Sequence, residues 1–188
     1  MTTRSTAPSL SRRTALGLVA LAALLALASP VRHADAGDQV PFQATLTVVD
    51  TVNYDHHDGC PSICFSGTGA GTATHLGQIT STGNGVVVDA TPSDPTHLVV
   101  TTSEVHTLTG ANGDSITLAG TSVAIQDLET GAVVVPPWSY TITGGTGRHA
   151  GATGSGMTEG TLQLNAAGTE LTGAFTFTGS ISTVGSLP

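Results

Sequence analysis

Alternation of apolar and small polar residues is the feature that most constrains the fold of this chain. Phe42, Ala44, Leu46 and Val48 occupy every second position of one stretch, and Gln and Thr residues lie between them. This period predicts a half-buried β-strand, because successive side chains of a strand point to opposite faces. Gly, Thr and Val are abundant, whereas helix-favouring Lys, Glu and Gln are scarce. The sequence therefore predicts an all-β protein.

Runs of this kind recur at short intervals, and Gly, Asn and Pro residues typical of turns separate them. About eight antiparallel strands in such an order are typical of a closed barrel or a sandwich. Closure would remove the unpaired strand edges that promote aggregation, so we expect a single antiparallel, roughly eight-stranded closed β-barrel. The runs cover residues 40–52, 67–74, 76–81, 86–88, 98–108, 115–126, 138–142, 156–164 and 171–181.

Two local patterns refine this arrangement. The dipeptide Asn112-Gly113 stands between two alternating runs and predicts a β-hairpin. In the run that follows, the apolar residues change from even positions at Leu118 to odd positions at Val123. One extra residue in a strand would cause such a change, which predicts a β-bulge near Gly120.

The glycine-rich segment 142–154 is interpreted as a corner between two strands, where glycines accept backbone angles or close contacts that a Cβ forbids. Its residues Gly145 to Ala150 also fit the pattern G-x-G-x-x-G/A of dinucleotide-binding proteins. That motif requires a helix directly afterwards and an acidic residue about 20 positions later. Neither feature follows here, so the sequence favours a structural corner.

The N-terminal residues 1–36 are typical of an export signal. Arg4, Arg12 and Arg13 form a positively charged segment before an apolar stretch, residues 15–28, and Ala34-Asp35-Ala36 offers a cleavage site. An apolar stretch of about 14 residues is shorter than the roughly 20 that a membrane-spanning helix needs. The arginine pair partly fits the pattern of the twin-arginine export route. The general secretory route is the alternative. We expect a secreted or extracytoplasmic barrel domain, residues 37–188, without membrane attachment after cleavage.

The charge of that domain limits its partners. Beyond residue 36 the sequence has twelve acidic residues and a single Lys or Arg, which is Arg148. A field of this sign repels nucleic acids and anionic lipid surfaces. The sequence therefore predicts neither of them as a partner.

Three segments carry a family resemblance, namely residues 67–77, 108–114 and 142–152. In this order they resemble segments of bacterial secreted proteins of the allene oxide cyclase barrel-like family. That family is related to the plant allene oxide cyclases and, through the Gly-Gly-Thr-Gly corner, distantly to dirigent proteins. The resemblance implies an eight-stranded antiparallel barrel with an apolar lumen. His149 differs from the family pattern. The family more often has Phe at that position, where the ring is an aromatic plug at the end of the barrel.

The chemistry implied by the resemblance is less specific. Plant allene oxide cyclases bind an unstable fatty-acid epoxide and direct its ring closure, and dirigent proteins direct the radical coupling of phenols. No polar catalytic residue of either group aligns with a position of this sequence. A shared fold does not transfer an activity.

The polar loop after the first strand contains Cys60 and Cys64. In an exported protein, two cysteines so close in sequence most simply form a loop-closing disulfide, and we predict that pairing. An alternative adds His56, His57 and Asp58 to two thiolates as ligands for zinc or copper. Standard zinc-site spacing is absent, so the sequence predicts no metal and no cofactor.

Candidate catalytic residues are Glu104, His106 and His75. Glu104 and His106 share the parity of Leu98 and Leu108 in the run 98–108, so we expect them to point into the barrel. A buried carboxyl and imidazole can exchange protons, because burial raises the pKa of the first and lowers that of the second. For each histidine, a purely structural hydrogen bond is the competing interpretation.

Candidate ligand-binding residues are Trp138, Tyr140 and Arg148. Trp138 and Tyr140 share one face of a strand and are expected in the core, where they would line a hollow lumen. Arg148 is expected to pair with a carboxylate at the barrel rim, or to capture an anionic group there.

Two functions follow from these patterns. In the first, the protein is an exported barrel that binds a small apolar molecule in its lumen or serves as a stable extracellular module. In the second, it is a lumenal isomerase or cyclase of the allene oxide cyclase type. The sequence favours the first.

Overall fold

The computed structural model describes residues 38–55, 60 and 62–182. Within them every strand is antiparallel to its neighbours, and the last strand pairs with the first, so that the sheet closes into an eight-stranded barrel. This confirms the predicted all-β barrel. The strands are β1 (Gln39–Asn53), β2 (Cys64–Ala73), β3 (Gly77–Pro92), β4 (His97–Gly110), β5 (Ser115–Asp127), β6 (Ala132–Thr146), β7 (Gly154–Leu164) and β8 (Glu170–Ser182).

The alternating pattern of β1 gives the barrel its interior face. Phe42, Ala44, Leu46 and Val48 are all buried, and the residues between them are exposed. Ala44 lies beside Phe177 of β8 in the ladder, so apolar side chains of neighbouring strands pack against each other inside the barrel. Burial of these side chains is the main driving force for closure.

The two ends of the barrel differ. At one end, called the base, lie the β2–β3, β4–β5 and β6–β7 connections. The apolar residues near it are tightly packed, and Leu108, Ile116 and Leu118 are no more than 1% exposed. At the other end, called the mouth, lie the β1–β2, β3–β4, β5–β6 and β7–β8 connections. The base is therefore closed by the core, and space inside the barrel lies toward the mouth.

The predicted irregularity next to Gly120 is present, because the β5–β6 pairing shifts between Gly120 and Ile125. The extra residue, however, is not in β5. The even positions of β5 point inward along the whole strand, and Val123 is exposed on the outer face. The extra residue lies instead in β6, where the pairing with both β5 and β7 shifts around Pro136-Pro137. Proline cannot donate a ladder hydrogen bond, so a prolyl pair favours a bulge at that place.

The glycine-rich segment forms the predicted corner at the base. A short 3-10 turn, Gly147–His149, joins β6 to β7. Gly147 has a φ of +58°, and a Cβ there would overlap the carboxylate of Asp114. The Nε of Arg148 donates a hydrogen bond of 2.6 Å to Oδ2 of Asp114. This bond holds the pKa of Asp114 below its ordinary value and ties the corner to the β4–β5 hairpin.

Cys60 and Cys64 form a disulfide with a Cα–Cα distance of 5.7 Å, which confirms the predicted pairing. Their sulfurs are therefore not thiolate ligands, and His56, His57 and Asp58 lie outside the described residues. No cluster of three or more metal-ligating side chains occurs in the described segments.

The predicted export signal, residues 1–36, also lies outside the described residues. In the part of the chain that is described, no helix has the length and apolar character needed to cross a membrane.

Candidate binding site in the barrel lumen

A cavity of about 220 Å³ occupies the mouth half of the barrel. It lies inside the ring of strands, because the inward residues of all eight strands contribute to its wall. Most of that wall is aliphatic or aromatic, a composition typical of sites for small molecules. Prominent apolar lining residues are Val52, Phe65, Leu98, Val100, Leu162 and Phe175.

One side of the cavity wall is polar. Thr102, Glu104 and His106 follow each other at alternate positions of β4, and Ser122 faces them from β5. Residues two apart in a strand point to the same side, so the three β4 side chains enter the lumen together. These four residues are called the polar cluster. All of them are at least 90% buried.

The polar cluster is joined by hydrogen bonds to one carboxylate. Nε2 of His106 donates to Oε2 of Glu104 at 2.9 Å. Oγ of Ser122 donates to Oε1 of Glu104 at 2.6 Å, and the hydroxyl of Thr102 donates to the same oxygen. Both oxygens of Glu104 are thus occupied by donors, which is the arrangement expected of a buried carboxylate that stays charged.

The pKa of Glu104 reflects this environment. Burial raises it, but the hydrogen bond and positive charge of His106, with the bonds from Ser122 and Thr102, bring the pKa below its ordinary value. Glu104 is therefore ionised at neutral pH.

Asp50 faces the polar cluster from β1. Its side chain lines the cavity and is only 8% exposed, and among the described residues it has no hydrogen-bond partner. Burial raises the pKa of Asp50 to about 6; the nearby His106 lowers the pKa and Glu104 raises it further. Asp50 is therefore a buried carboxyl that exchanges its proton close to neutral pH.

Glycines on β2 and β3 make room for these charged side chains. Gly83 lies opposite His106 in the β3–β4 ladder, and a Cβ at Gly83 would be 2.7 Å from Nδ1 of the imidazole. Gly67 lies opposite Asp50, and a Cβ there would overlap the carboxylate. Glycine at both positions thus allows the two side chains to lie flat against the barrel wall.

Glu104 and His106, two of the three candidate catalytic residues, meet in the cavity wall. His75 does not join them. It lies in the β2–β3 turn at the base with a φ of +69°, and its Nε2 is 3.0 Å from the carbonyl oxygen of Pro41. The third candidate is therefore placed at the opposite end of the barrel.

The candidate ligand-binding residues lie outside the cavity lining. Trp138 and Tyr140 point into the barrel and are buried in its packed core. Tyr140 contacts Phe177 edge-on, with ring centroids 5.7 Å apart, and burial raises its pKa to about 12. Arg148 lies at the base, bound to Asp114.

Among the buried polar residues of the cavity, the candidates named from the sequence do not include Asp50, Thr102 and Ser122. Asp50 follows Val48 at the next inward position of β1, so the alternation of that strand predicts that its side chain points into the barrel. The bulge predicted in β5 would turn Val123 into the interior and Ser122 to the outside, so the sequence does not indicate Ser122 as a residue of the lumen.

Comparison with known proteins adds little to this geometry. The sequence matches no model of a known protein family, and no curated protein matches it. One similar solved structure is described as a nonspecific haem-binding cyclase that catalyses a (4 + 2) cycloaddition during neoabyssomicin biosynthesis. The identity is 18%, the match covers 95% of this chain and 80% of that chain, and the TM-score is 0.36. Similarity at this level assigns neither a family nor an activity.

Proposed function

We propose that this protein binds a small, largely apolar molecule in the mouth half of its barrel lumen. The observation that carries the proposal is the cavity itself, which has mostly apolar walls and a few buried polar groups. An apolar cavity of about 150 Å³ is known to hold benzene. The present cavity, at about 220 Å³, has room for a larger molecule.

The arrangement of the wall suits a ligand with one polar end. Apolar side chains surround most of the space and would bury hydrocarbon or aromatic surface. The polar cluster lies on β4 and β5, and Asp50 faces it from β1; these groups would orient the polar end. A few polar groups in a mostly apolar pocket are the usual basis of orientation and specificity.

A pair of neighbouring substitutions tests binding in the lumen. Ala124 of β5 lines the cavity, whereas Val123 next to it is exposed on the outside of the barrel. Ala124→Phe would fill the cavity, and Val123→Phe would add the same ring to the surface. With N-phenylnaphthylamine, a neutral aromatic dye that fluoresces in apolar sites, we expect at least tenfold weaker binding in Ala124→Phe only. Unchanged binding in Ala124→Phe, with the barrel intact by circular dichroism, would refute a lumenal site.

A second candidate function is a lumenal isomerase or cyclase, of the kind implied by the resemblance to the allene oxide cyclase barrel-like family. The hydrogen-bonded pair of Glu104 and His106 favours it, because the pair could move a proton at the cavity wall. Asp50 would be a further proton carrier on the facing side.

The variants Glu104→Gln and His106→Asn separate the two functions. Ring closure of an unstable fatty-acid epoxide, generated in the assay, would be measured together with binding of the dye. Loss of turnover with binding retained supports the enzyme. Binding without turnover in the wild type and in both variants supports the binding protein.

We also propose that the protein acts outside the cytoplasm. The signal-like sequence of residues 1–36 and the Cys60–Cys64 disulfide support this, because disulfides persist in oxidising compartments. Mass spectrometry of protein exported by its own host would test it, with a chain beginning at Gly37 as the expected product. The full-length mass in the exported fraction would contradict cleavage after Ala36.

A further inference from the structure

The charges around the cavity are unequal. The ionisable residues of the wall are the carboxylates Asp50 and Glu104, the imidazole of His106, and the phenol of Tyr54 near the mouth. No Lys or Arg is among the lining residues. In the described part of the chain the nearest candidate, Arg148, is held by Asp114 at the base. Negative groups therefore outnumber positive ones around the space where a ligand would lie.

The two carboxylates also differ in their partners. Glu104 accepts hydrogen bonds from His106, Ser122 and Thr102. Asp50 is more than nine-tenths buried and accepts none from the described residues. A carboxylate with so little exposure and no donor from the protein is unfavourable, because it has lost most of its hydration without compensation. The protein thus presents an unfilled acceptor to the cavity.

We propose that the ligand supplies the missing donor, and that the cavity selects apolar molecules carrying a basic nitrogen. The protonated amine would lie against the carboxylate of Asp50, and the apolar remainder would lie among Val52, Leu98 and Phe175. The inference rests on the proposed function, since it names the chemical class of ligand for the same cavity.

An amine fits the charges better than other polar ends. Asp50 and Glu104 place two carboxylates on the cavity wall, and an ammonium group would offset one of their charges. A carboxylate ligand would add a third anion beside these two carboxylates, and like charges at close range repel. An alcohol would also donate a hydrogen bond to the carboxylate of Asp50, but it carries no positive charge and therefore lacks the Coulomb attraction that an ammonium group adds. The formal net charge of the whole chain, −8, also attracts cations toward the protein.

Amine binding would depend on pH through Asp50. The titratable groups that face it are Glu104 and His106 on β4, with Tyr54 farther along β1. Its ladder neighbours Gly67 and Leu171 do not titrate. Because the pKa of Asp50 is raised to about 6, its negative charge is lost as the pH falls from about 8 to about 5. The affinity for an amine would then fall by about tenfold, while Glu104 remains ionised over most of that range.

A matched ligand series tests the inference with the intact barrel. Octylamine, octanol and octanoate share one apolar chain and differ in the polar end. Each would compete with N-phenylnaphthylamine for wild-type protein, for Asp50→Asn, and for the control Asp89→Asn, which removes an exposed acid of β3. We expect octylamine to bind at least tenfold more tightly than the other two. That preference should disappear in Asp50→Asn and remain in Asp89→Asn.

The outcomes separate the ligand class from the binding function. Equal binding of octanol and octylamine, a preference for octanoate, or an amine preference retained in Asp50→Asn would overturn the inference. In each case displacement of the dye would still support lumenal binding. Failure of the dye and of all three ligands to bind would refute both. The pH series on the wild type alone provides a second readout that needs no variant.

Discussion

Gly83 of β3 and His106 of β4 lie directly opposite each other, and the imidazole occupies the space that a side chain at Gly83 would fill. The ring is thereby held close to the barrel wall, with Nε2 directed to Glu104. A residue without a side chain on one strand thus positions a charged side chain on the next. The position of His106 in the lumen therefore depends on the glycine opposite it as well as on the histidine itself.

Gly83→Ala is expected to displace the imidazole of His106. The new Cβ would lie 2.7 Å from Nδ1, too close for an unstrained contact, and we expect a loss of about 1–3 kcal/mol in the free energy of unfolding. Urea denaturation would measure it. In a His106→Ala background the same substitution should cost much less, because the obstructing ring is gone. Equal costs in both backgrounds would show that His106 is not the residue displaced.

Ser122→Ala removes one of the donors to the carboxylate of Glu104. Because Glu104 is buried and ionised, we expect this loss to cost about 1–3 kcal/mol of stability. Val123→Ala, at the exposed neighbouring position, should change stability by less than about 0.5 kcal/mol. The two variants differ in which face of β5 they alter. A similar effect from both would contradict the inward orientation of Ser122.

The barrel could be predicted from the sequence because its strands alternate clearly. In β1, every second residue from Phe42 to Val48 is apolar and buried, and the predicted inward parity of Glu104 and His106 on β4 matches the structure. β5 misled the prediction because its inward residues near the mouth are Ser122 and Ala124, which line a cavity. Where the interior is hollow, small and polar residues replace large apolar ones, and the hydrophobic pattern no longer marks the inside.

The hydrogen bonds of the polar cluster could not be predicted from the sequence, for a different reason. The bond between Ser122 and Glu104 joins residues 18 positions apart, and it depends on the ladder register of β4 and β5. That register places Glu104 opposite Gly120. Alternation predicts which side of a strand a residue occupies, but it does not predict its neighbour on the next strand.

Reduction of the Cys60–Cys64 disulfide should have a modest effect. The bond closes a short loop, with a sequence separation of 4, so the chain-entropy estimate gives about 2 kcal/mol of stabilisation. We expect the double variant Cys60→Ser, Cys64→Ser to remain a barrel by circular dichroism and to unfold at lower urea concentration. Adding dithiothreitol to the wild type should reproduce that shift and leave the variant unchanged. An effect of the reductant on the variant would show that the shift has another cause.

Asp50 should destabilise the barrel at neutral pH. Its folded pKa, raised to about 6 from 3.8, means that the folded state holds the proton more tightly than the unfolded chain does. Protonated Asp50 therefore makes its full favourable contribution to the free energy of unfolding below about pH 3.8. That contribution is lost as the pH rises toward 6 and stays lost above it. Asn in place of Asp removes this dependence, so Asp50→Asn should be more stable than wild type at pH 7, by about 1–3 kcal/mol. The gain should shrink toward pH 4. Urea unfolding of both proteins across this pH range measures the difference in their free energies of unfolding. Glu104 is present in both proteins, so its own pH dependence, which has the opposite sign, cancels in that difference. A gain independent of pH would mean that Asp50 has an ordinary pKa and is hydrated in the cavity.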